Sequence, residues 1–385
     1  MELTLQPLAL ITILAMVAHF LSQRLKAPVI VVEIIFGIII GRNLLNLISD
    51  DFVIDFLALL GFIFLMFLSG LEIDFNQIES RGWGNIFKGL IAFSLILALS
   101  YIGALAMGYG FILALIFSTT SLGVVVPTLR NLGISKSGEG QSILLTAMAA
   151  DFLTILLLTF YSVWLRKSGE LPIFVVSTLF IAYGVAYIVG KKALWHFPEF
   201  LSSWFKPDQP TEVGVRSAIA IMLAFVAYSR SIGVEEILGA FLAGVLLSVL
   251  FRGGSILEEK LYAIGYGFLI PIFFINVGIN FRFDLLLNRS GLLIVPPLVF
   301  IAFLVKIMPT ILVNYKSLSI KESVAAGILL TSNLSLVIAA AEVGRRLGII
   351  DEALEAAIIF LAIFTSTVCP IIYRKMTVEK TPQPM

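Results

Sequence analysis

The chain has 385 residues, of which 59% are hydrophobic and 13% charged, and its mean hydropathy is +1.04. A soluble protein of this composition could not keep its surface hydrated, so the sequence predicts an all-α polytopic membrane protein. The net charge of +1 gives no reason to expect a nucleic-acid partner. The single Cys369 excludes an internal disulfide framework and a metal site built from cysteines alone.

Hydropathy divides the chain into about 13 predicted transmembrane helices, joined mostly by short connections. The exception is the polar stretch 191–212, which separates two halves without forming a domain, so residues 1–385 are predicted to be a single transmembrane transporter unit. The predicted spans lie near 6–23, 29–47, 52–71, 86–107, 110–131, 140–165, 171–190, 213–230, 234–250, 261–280, 291–314, 320–343 and 353–374.

The lysines and arginines indicate the orientation of the chain. With the amino terminus outside, 17 of them fall in inner segments and 8 in outer segments, while Lys306 lies within a span. We therefore predict a multi-pass protein of the cell (inner) membrane, with its amino terminus outside and its carboxyl terminus in the cytoplasm.

The two halves of the sequence resemble each other at four places, which occur in the same order in both halves. Residues 33–40 resemble 240–247, 67–71 resemble 275–279, 119–121 resemble 331–333, and 130–134 resemble 345–349. Each repeat holds five spans, and seven crossings separate equivalent spans, so the second copy is predicted to be inverted in the membrane. Repeat one covers about 29–165 and repeat two about 234–374, with the transport site expected near the midplane where they meet.

Asp151 is the only formally charged residue in the apolar run between Glu139 and Arg166. It is predicted to lie near the middle of a spanning helix, where a carboxylate costs about 2.5–3.5 kcal/mol on insertion scales. Intramembrane carboxylates usually handle ions or protons, and we predict this function here. The alternative is a structural aspartate that joins two helices by hydrogen bonds.

Two spans contain polar interruptions at matching positions of the repeats. The first is 118–123, with the hydroxyls of Thr119 and Thr120, and the second is 331–335, with Ser332 and Asn333. Short hydroxyl side chains compete for backbone hydrogen bonds, so both interruptions are predicted helix breaks whose carbonyls could coordinate a cation. The alternative is that serine and threonine only allow close helix packing.

Lys306 is a second charge within a span, close to Pro309. We predict that it pairs with Asp151 or with a carbonyl of a broken helix, and that it serves either to neutralise charge or to release a proton during transport. Glu33 and Asn276 are also polar residues within spans. They are predicted to be an interfacial or gating residue and a helix–helix hydrogen bond, respectively, rather than ion ligands.

Asp151 and Lys306, together with residues 28–41, 67–74, 118–121, 239–244 and 271–278, resemble the monovalent cation:proton antiporter 2 family, which includes Kef-type potassium and NapA-type sodium antiporters. The resemblance covers nearly the whole chain. It implies a core that includes spans 5, 6, 12 and 13, in which the unwound helices 5 and 12 cross beside the essential aspartate. It also implies a homodimer, with a dimerisation side that includes spans 1–3 and 8–10.

One position departs from the family pattern. Members usually have Asp, Asn or Gln before the essential aspartate, and this chain has Ala150. In members with two aspartates, the lysine that matches Lys306 can pair with the first one. That partner is missing here, so the resemblance implies neither the ion preference nor the coupling ratio.

The residues and the resemblance together predict a secondary active transporter, not an enzyme, that exchanges Na⁺ and/or K⁺ for H⁺ by alternating access. Its expected partners are monovalent cations, protons and the lipid bilayer. No cofactor is expected besides the transported Na⁺ or K⁺ and H⁺. A monovalent cation is predicted to bind at Asp151, with Thr119, Thr120, Ser332 and Asn333 nearby. The alternatives are a sodium-coupled organic-solute symporter, a cation channel and a non-transporting membrane subunit.

Overall fold

The computed structural model describes residues 5–25, 27–41, 44–48, 51–72, 83–135, 137–166, 172–196, 212–250, 256–314 and 318–378. Regular secondary structure within these ranges is helical, as the predominance of apolar runs predicts. The helices are α1 Gln6–Leu25, α2 Val29–Ile40, α3 Phe52–Leu71, α4 Trp83–Ala106, α5 Phe111–Ser118, α6 Leu122–Asn131, α7 Gly138–Arg166, α8 Pro172–His196, α9 Val213–Ser231, α10 Glu236–Leu250, α11 Ile256–Ile264, a π-helical turn Gly265–Leu269, α12 Ile270–Ile279, α13 Phe283–Leu287, α14 Arg289–Asn314, α15 Ile320–Leu330, α16 Ser335–Arg346 and α17 Glu352–Val378.

Among the described residues, 8 helices are long and apolar enough to cross a membrane, or up to 9 if the bent pair α15–α16 is one span. Three shorter apolar helical segments lie at predicted spans as well: Val29–Ile40, Phe111–Val126 and Glu236–Leu250. The chain is therefore an all-helical protein with many apolar spans. The number 13 remains a prediction.

The second predicted span is shorter than expected. It was predicted to continue to about residue 47, but α2 ends at Ile40 and its 12 residues are too few to cross a bilayer alone. The chain turns directly afterwards, with Asn46 in the left-handed conformation at a φ of 47°. Other predictions fall on undescribed parts of the chain: Ile73 and Asp74 of the family motif, most of the stretch 191–212, and several basic residues used for orientation, such as Lys26 and Lys380, lie outside the described residues.

The helices form two compact units, each made of three segments of the chain. Unit 1 comprises the described parts of Met1–Gln23, Val32–Ser80 and Thr159–Asn280. Unit 2 comprises the described parts of Arg24–Val31, Arg81–Leu158 and Phe281–Met385.

Unit 1 contains two helix crossings at which glycines allow backbones to touch. At the first, α2 crosses α12: a side-chain carbon on Gly37 would collide with the carbonyl of Ile275, and one on Gly278 would collide with the carbonyl of Ile34. The backbone of each helix therefore packs directly against the glycine of the other helix. A larger residue at either position would separate the two helices.

The second crossing joins α3 to α10 in the same reciprocal way. A side-chain carbon on Gly70 would meet the carbonyl of Phe241, and one on Gly244 would meet the carbonyl of Phe67. Gly37 and Gly244 occupy matching positions of the proposed repeats, and so do Gly70 and Gly278. In the proposed repeats, the first helix of each sequence copy thus crosses the second helix of the other copy.

Unit 2 contains the interrupted helices α5–α6 and α15–α16. Helix α15 begins with a capping box, in which the Ser319 hydroxyl accepts from the Glu322 backbone and the Glu322 carboxylate accepts from the Ser319 backbone. At the other end of this pair, Arg345 on α16 bonds Glu355 on α17 at 3.2 Å. Helix α16, one half of a broken span, is thereby fixed to its neighbour by a charge pair.

Helices α6 and α16 end in the same turn. Gly133 and Gly348 both have a φ of 71°. The next residue in each case bonds back five positions, from Ile134 to the carbonyl of Leu129 at 3.1 Å and from Ile349 to the carbonyl of Gly344 at 3.0 Å. This is the left-handed glycine termination of a helix. The matching sequences 130–134 and 345–349 therefore have a common local structure.

Candidate functional site

The first predicted break is present in unit 2 at the predicted residues. Helix α5 ends at Ser118, α6 begins at Leu122, and Thr119 adopts an extended conformation with φ −61° and ψ 154°. The Ser118 hydroxyl donates to the carbonyl of Leu115, and the Thr119 hydroxyl donates to that of Ile116. Both hydroxyls therefore act locally, by satisfying carbonyls at the end of α5, as expected for residues that compete with helix continuation.

The second predicted break is present as well. Helix α15 ends at Leu330 and α16 begins at Ser335, and the axes of the two helices differ by 51°. Thr331, Ser332 and Asn333 lie between them and are fully or almost fully buried. Backbone polar groups buried in a membrane protein need partners, so a break of this kind depends on the residues around it.

The two breaks bond directly to each other. The backbone N–H of Ser121 donates to the carbonyl of Ser332 at 2.9 Å, and the Thr120 hydroxyl donates to the carbonyl of Leu330 at 3.0 Å. In the amide orientation that satisfies both ends of the side chain, Asn333 donates to the carbonyl of Thr119 at 2.6 Å. Four of the predicted site residues, Thr119, Thr120, Ser332 and Asn333, thus meet at one point in unit 2.

Lys306 on α14 lies at the first break and is completely buried. Its ammonium nitrogen donates to the carbonyls of Ser118 and Thr119 at 2.7 and 2.6 Å and to the hydroxyl of Thr120 at 2.9 Å. Of the two predicted partners, the broken-helix carbonyls are therefore in direct contact, while Asp151 is close enough to interact electrostatically. Three acceptors match the three N–H bonds of a protonated lysine.

Asp151 on α7 also contacts the first break, at the start of its second half-helix. Its Oδ2 accepts from the backbone N–H of Leu122, the first residue of α6, at 3.4 Å. The start of a helix carries partial positive charge, which favours a carboxylate there. The preceding Ala150 is completely buried and supplies no second polar group.

Two further hydroxyls contact the breaks and were not selected from the sequence. Thr154 on α7 shares a hydrogen bond with the hydroxyl of Ser118 at 3.2 Å. Thr365 on α17 accepts from the backbone N–H of Asn333 at 3.4 Å. The available signal in the sequence was position, because α7 and α17 correspond to matching helices of the predicted repeats.

Glu33 and Asn276, the two polar residues that were not predicted to be ion ligands, belong to unit 1. Glu33 is 4% exposed, so its side chain is buried within the protein, and its assignment as an interfacial or gating residue stays a prediction. The physical reason is that α2 crosses α12 one turn further on, at Gly37. Asn276 makes the predicted helix–helix hydrogen bond, donating to Asp55 on α3 at 3.2 Å.

The arrangement in unit 2 combines one carboxylate, one ammonium and several oxygen atoms of interrupted helices. Carbonyl and hydroxyl oxygens suit a partly dehydrated monovalent cation, and a carboxylate can bind either a cation or a proton. The site therefore has the chemistry to let the two ions compete for a single position.

Comparison with known proteins agrees with this chemistry. Residues 9–378 match the family described as sodium/hydrogen exchanger, transmembrane. The chain is 39% identical over 391 residues to the putative Na⁺/H⁺ antiporter YjbQ of Bacillus subtilis (strain 168), and 27% identical over 370 residues to the Na⁺/H⁺–K⁺ antiporter GerN of Bacillus cereus. These matches cover 96% and 94% of this chain, but 62% of YjbQ and 93% of GerN.

The fold has a solved counterpart. The structure of the sodium proton antiporter MjNhaP1 from Methanocaldococcus jannaschii at pH 8 matches with a TM-score of 0.63 and 16% sequence identity, over 96% of this chain and 95% of that one. This likeness concerns the fold. The family match extends over nearly the whole chain and confirms the relationship inferred from the motifs: the chain belongs to the transmembrane sodium/hydrogen exchanger family.

Proposed function

We propose that this protein is a secondary active transporter that exchanges Na⁺ or K⁺ for H⁺ across the membrane by alternating access. The observation that carries the proposal is the position of Asp151, a carboxylate at the first residue of the half-helix α6 and next to two mutually bonded helix breaks. The names of the relatives support the same three ions, since YjbQ is called a putative Na⁺/H⁺ antiporter and GerN a Na⁺/H⁺–K⁺ antiporter.

Competition at Asp151 couples the two fluxes. The carboxylate binds a proton or a cation, but not both, and either ligand neutralises its charge. In our proposal, the site changes its exposure only when Asp151 holds a proton or a cation. Exchange then requires no separate gate for each ion.

The breaks supply the neutral ligands of the cation. The hydroxyl of Thr120 and the side chains of Ser332 and Asn333 lie where the two interrupted helices touch, and the carbonyl of Thr119 is shared by Lys306 and Asn333. In our proposal, some of these oxygens turn to the ion during transport. The half-helix geometry favours this because backbone oxygens at a break are not committed to a helical ladder.

Lys306 is the fixed positive charge of the site. Its three hydrogen bonds to Ser118, Thr119 and Thr120 match the three N–H bonds of the protonated ammonium and offset part of the cost of its burial. A lysine that stays protonated contributes no proton to the cycle. One cation then exchanges for one proton at Asp151, and transport is electroneutral.

The inverted repeats form part of the same proposal. Two observations support them: the reciprocal glycine crossings of unit 1, which pair the first helix of each copy with the second helix of the other, and the matching turns at Gly133 and Gly348. An inverted arrangement places two related breaks at one depth. That is the transport-site geometry of repeat-based transporters.

The remaining parts of the proposal concern the assembly in the membrane. We assign the core to the helices of predicted spans 5, 6, 12 and 13 and the dimerisation side to those of spans 1–3 and 8–10, in a homodimer of the inner membrane with a cytoplasmic carboxyl terminus. The charge bias of the sequence supports the orientation. The division into two units supports the two sides, because α5, α6, α15, α16 and α17 lie in unit 2, whereas α3, α9, α10 and α12 lie in unit 1.

The test is proton movement in everted membrane vesicles loaded with a pH-sensitive dye. Addition of Na⁺ or K⁺ alone should change the dye signal in vesicles that contain the protein and leave vesicles without it unchanged. A solute symporter would respond only when its organic solute is present, a channel would pass cation current without moving protons, and a non-transporting subunit would give no response. Any of these three results would overturn the proposal.

A further inference from the structure

Thr365 stands in repeat two where Asp151 stands in repeat one. The starts of α7 and α17, Gly138 and Glu352, are 214 positions apart, and Asp151 and Thr365 are 214 positions apart as well. The two residues therefore lie at the same distance along the two helices that flank the breaks. One is a carboxylate and the other a neutral hydroxyl.

The contacts of the two side chains are also alike. The Asp151 carboxylate accepts from the backbone N–H of Leu122 at 3.4 Å, and the Thr365 hydroxyl accepts from the backbone N–H of Asn333 at 3.4 Å. Leu122 directly follows Ser121, the residue that matches Asn333 in the repeat. Each side chain thus binds the backbone at nearly the same point of its own break.

The Thr365 hydroxyl is well placed to hold Asn333 still. It is completely buried and donates to the carbonyl of Leu361 at 2.8 Å, one turn back on α17, so the direction of its lone pairs is fixed. From that anchored backbone, the Asn333 side chain reaches the Thr119 carbonyl at 2.6 Å, which also accepts from Lys306. The hydroxyl on α17 is therefore linked, through one residue, to the oxygen at which both breaks and the lysine meet.

We propose that Thr365 is a positioning residue that sets the cation affinity and the Na⁺/K⁺ preference of the exchanger by fixing Asn333 against the first break. This inference rests on the proposed antiport function and adds a residue to it. Na⁺ and K⁺ differ in size and so require different arrangements of oxygen ligands. Loosening Asn333 changes those ligands, while Asp151 remains available for protons.

A role limited to packing predicts a different result. Loss of packing lowers the amount of folded protein and the maximal rate, but leaves the cation concentration that gives half-maximal exchange unchanged. Loss of positioning raises that concentration and alters the ratio between the Na⁺ and K⁺ values. The affinity and the rate therefore distinguish the two roles.

The experiment compares substitutions on one helix in the full-length protein, reconstituted in proteoliposomes. Thr365→Val keeps the shape and removes the hydroxyl, Thr365→Ser keeps the hydroxyl, and Thr365→Ala is a smaller variant for the case that valine prevents folding. The matched control is Thr367→Val, because the Thr367 hydroxyl donates to the carbonyl of Ile363 within its own helix. Exchange is measured against Na⁺ and against K⁺ at one fixed pH.

We expect Thr365→Val and Thr365→Ala to raise the half-maximal cation concentration roughly threefold to tenfold, the loss of about one hydrogen bond, unequally for the two ions. Thr365→Ser should restore the original value, and Thr367→Val should not change it. An unchanged half-maximal concentration in both hydroxyl-free variants, or an equal increase in Thr367→Val, would overturn the inference. If the unsubstituted protein gives no cation-driven proton movement, the proposed function itself fails, and this result is distinct from the other two.

Discussion

The two helix breaks of unit 2 share a backbone plan but differ in charge. The first, between α5 and α6, has Lys306 bonded to its carbonyls and Asp151 at the start of its second half-helix. The second, between α15 and α16, is contacted by the Thr365 hydroxyl, which accepts from the backbone N–H of Asn333. In the proposed repeats, the first break is thus the one that contacts Asp151 and Lys306, whereas the second is contacted by a neutral hydroxyl.

This asymmetry has an energetic reason. A carboxylate in the middle of a membrane costs about 2.5–3.5 kcal/mol on insertion scales, and a second one close by would add both its own cost and repulsion. A neutral hydroxyl at the matching position satisfies the same kind of backbone N–H without these costs. The comparison predicts one ionisable transport group per chain, so substitutions at the first break should have larger effects than those at the second.

The largest effect is expected from Asp151→Asn. The amide keeps the size of the side chain but cannot exchange a proton, so cation-driven proton movement should be abolished while the amount of folded protein in the membrane stays the same. Asp55→Asn is a matched control, because Asp55 bonds Asn276 in unit 1 and should be dispensable for exchange. Undiminished exchange by Asp151→Asn in everted vesicles would show that the charge at the first break is not the transport group.

Lys306→Met should have the next largest effect. The substitution removes three hydrogen bonds from the first break and takes a donor away from two buried carbonyls, so we expect at least a tenfold loss of exchange rate, or roughly 1.4 kcal/mol. Lys88→Met, at an exposed position of α4, is the control. A Lys306→Met protein with the full exchange rate would show that the first break needs no fixed positive charge.

The unsubstituted protein offers a complementary measurement of the same lysine. If Lys306 remains protonated throughout the cycle, one cation exchanges for one proton, and an imposed membrane potential should not change the rate in proteoliposomes. If the lysine gives up its proton when the cation binds, two protons move per cation. A rate that follows the voltage would then be observed, and electroneutral coupling would be wrong.

Thr120→Val and Asn333→Leu compare the neutral ligands of the two breaks. Each removes one side chain that bonds the opposite break, at 3.0 Å for Thr120 and 2.6 Å for Asn333. We expect a several-fold increase in the half-maximal cation concentration for both, with Asp151 still able to bind protons. A fall in maximal rate at unchanged half-maximal concentration would contradict a role of these side chains in cation binding.

The sequence was sufficient to predict the breaks and the residues in them, because hydroxyl side chains and glycine inside an apolar run weaken the helix at that point. It was also sufficient to single out Asp151 and Lys306, since charges are rare in such runs. Both contact the first break, and their function in transport stays a prediction. The end of α2 was missed because the apolar Leu44, Leu45 and Leu47 continue the run beyond the helix. Thr154 and Thr365 were missed for a different reason. A buried threonine commonly bonds a carbonyl of its own helix, and only the tertiary contact distinguishes these two from Thr146 or Thr367.

The smallest effect is expected from Thr154→Val. The Thr154 hydroxyl shares a hydrogen bond with that of Ser118 at 3.2 Å, but Ser118 also donates to the carbonyl of Leu115, so the first break keeps its local bond when Thr154 is lost. The first break also keeps its contacts with Lys306 and Asp151. At the second break, by contrast, the Thr365 hydroxyl is the side-chain acceptor of the Asn333 backbone N–H. Thr154→Val should therefore change the half-maximal cation concentration by less than about twofold, close to the limit set by a single redundant hydrogen bond.

The matched control for this variant is Thr146→Val, on the same helix, whose hydroxyl donates to the carbonyl of Ser142 one turn back. Both variants remove one threonine hydroxyl from α7, but only Thr154 lies against the first break. If Thr154→Val weakened cation binding as much as Thr365→Val, the first break would depend on its neutral hydroxyl as strongly as the second. The difference in charge between the two breaks would then not explain which side chains stabilise each of them.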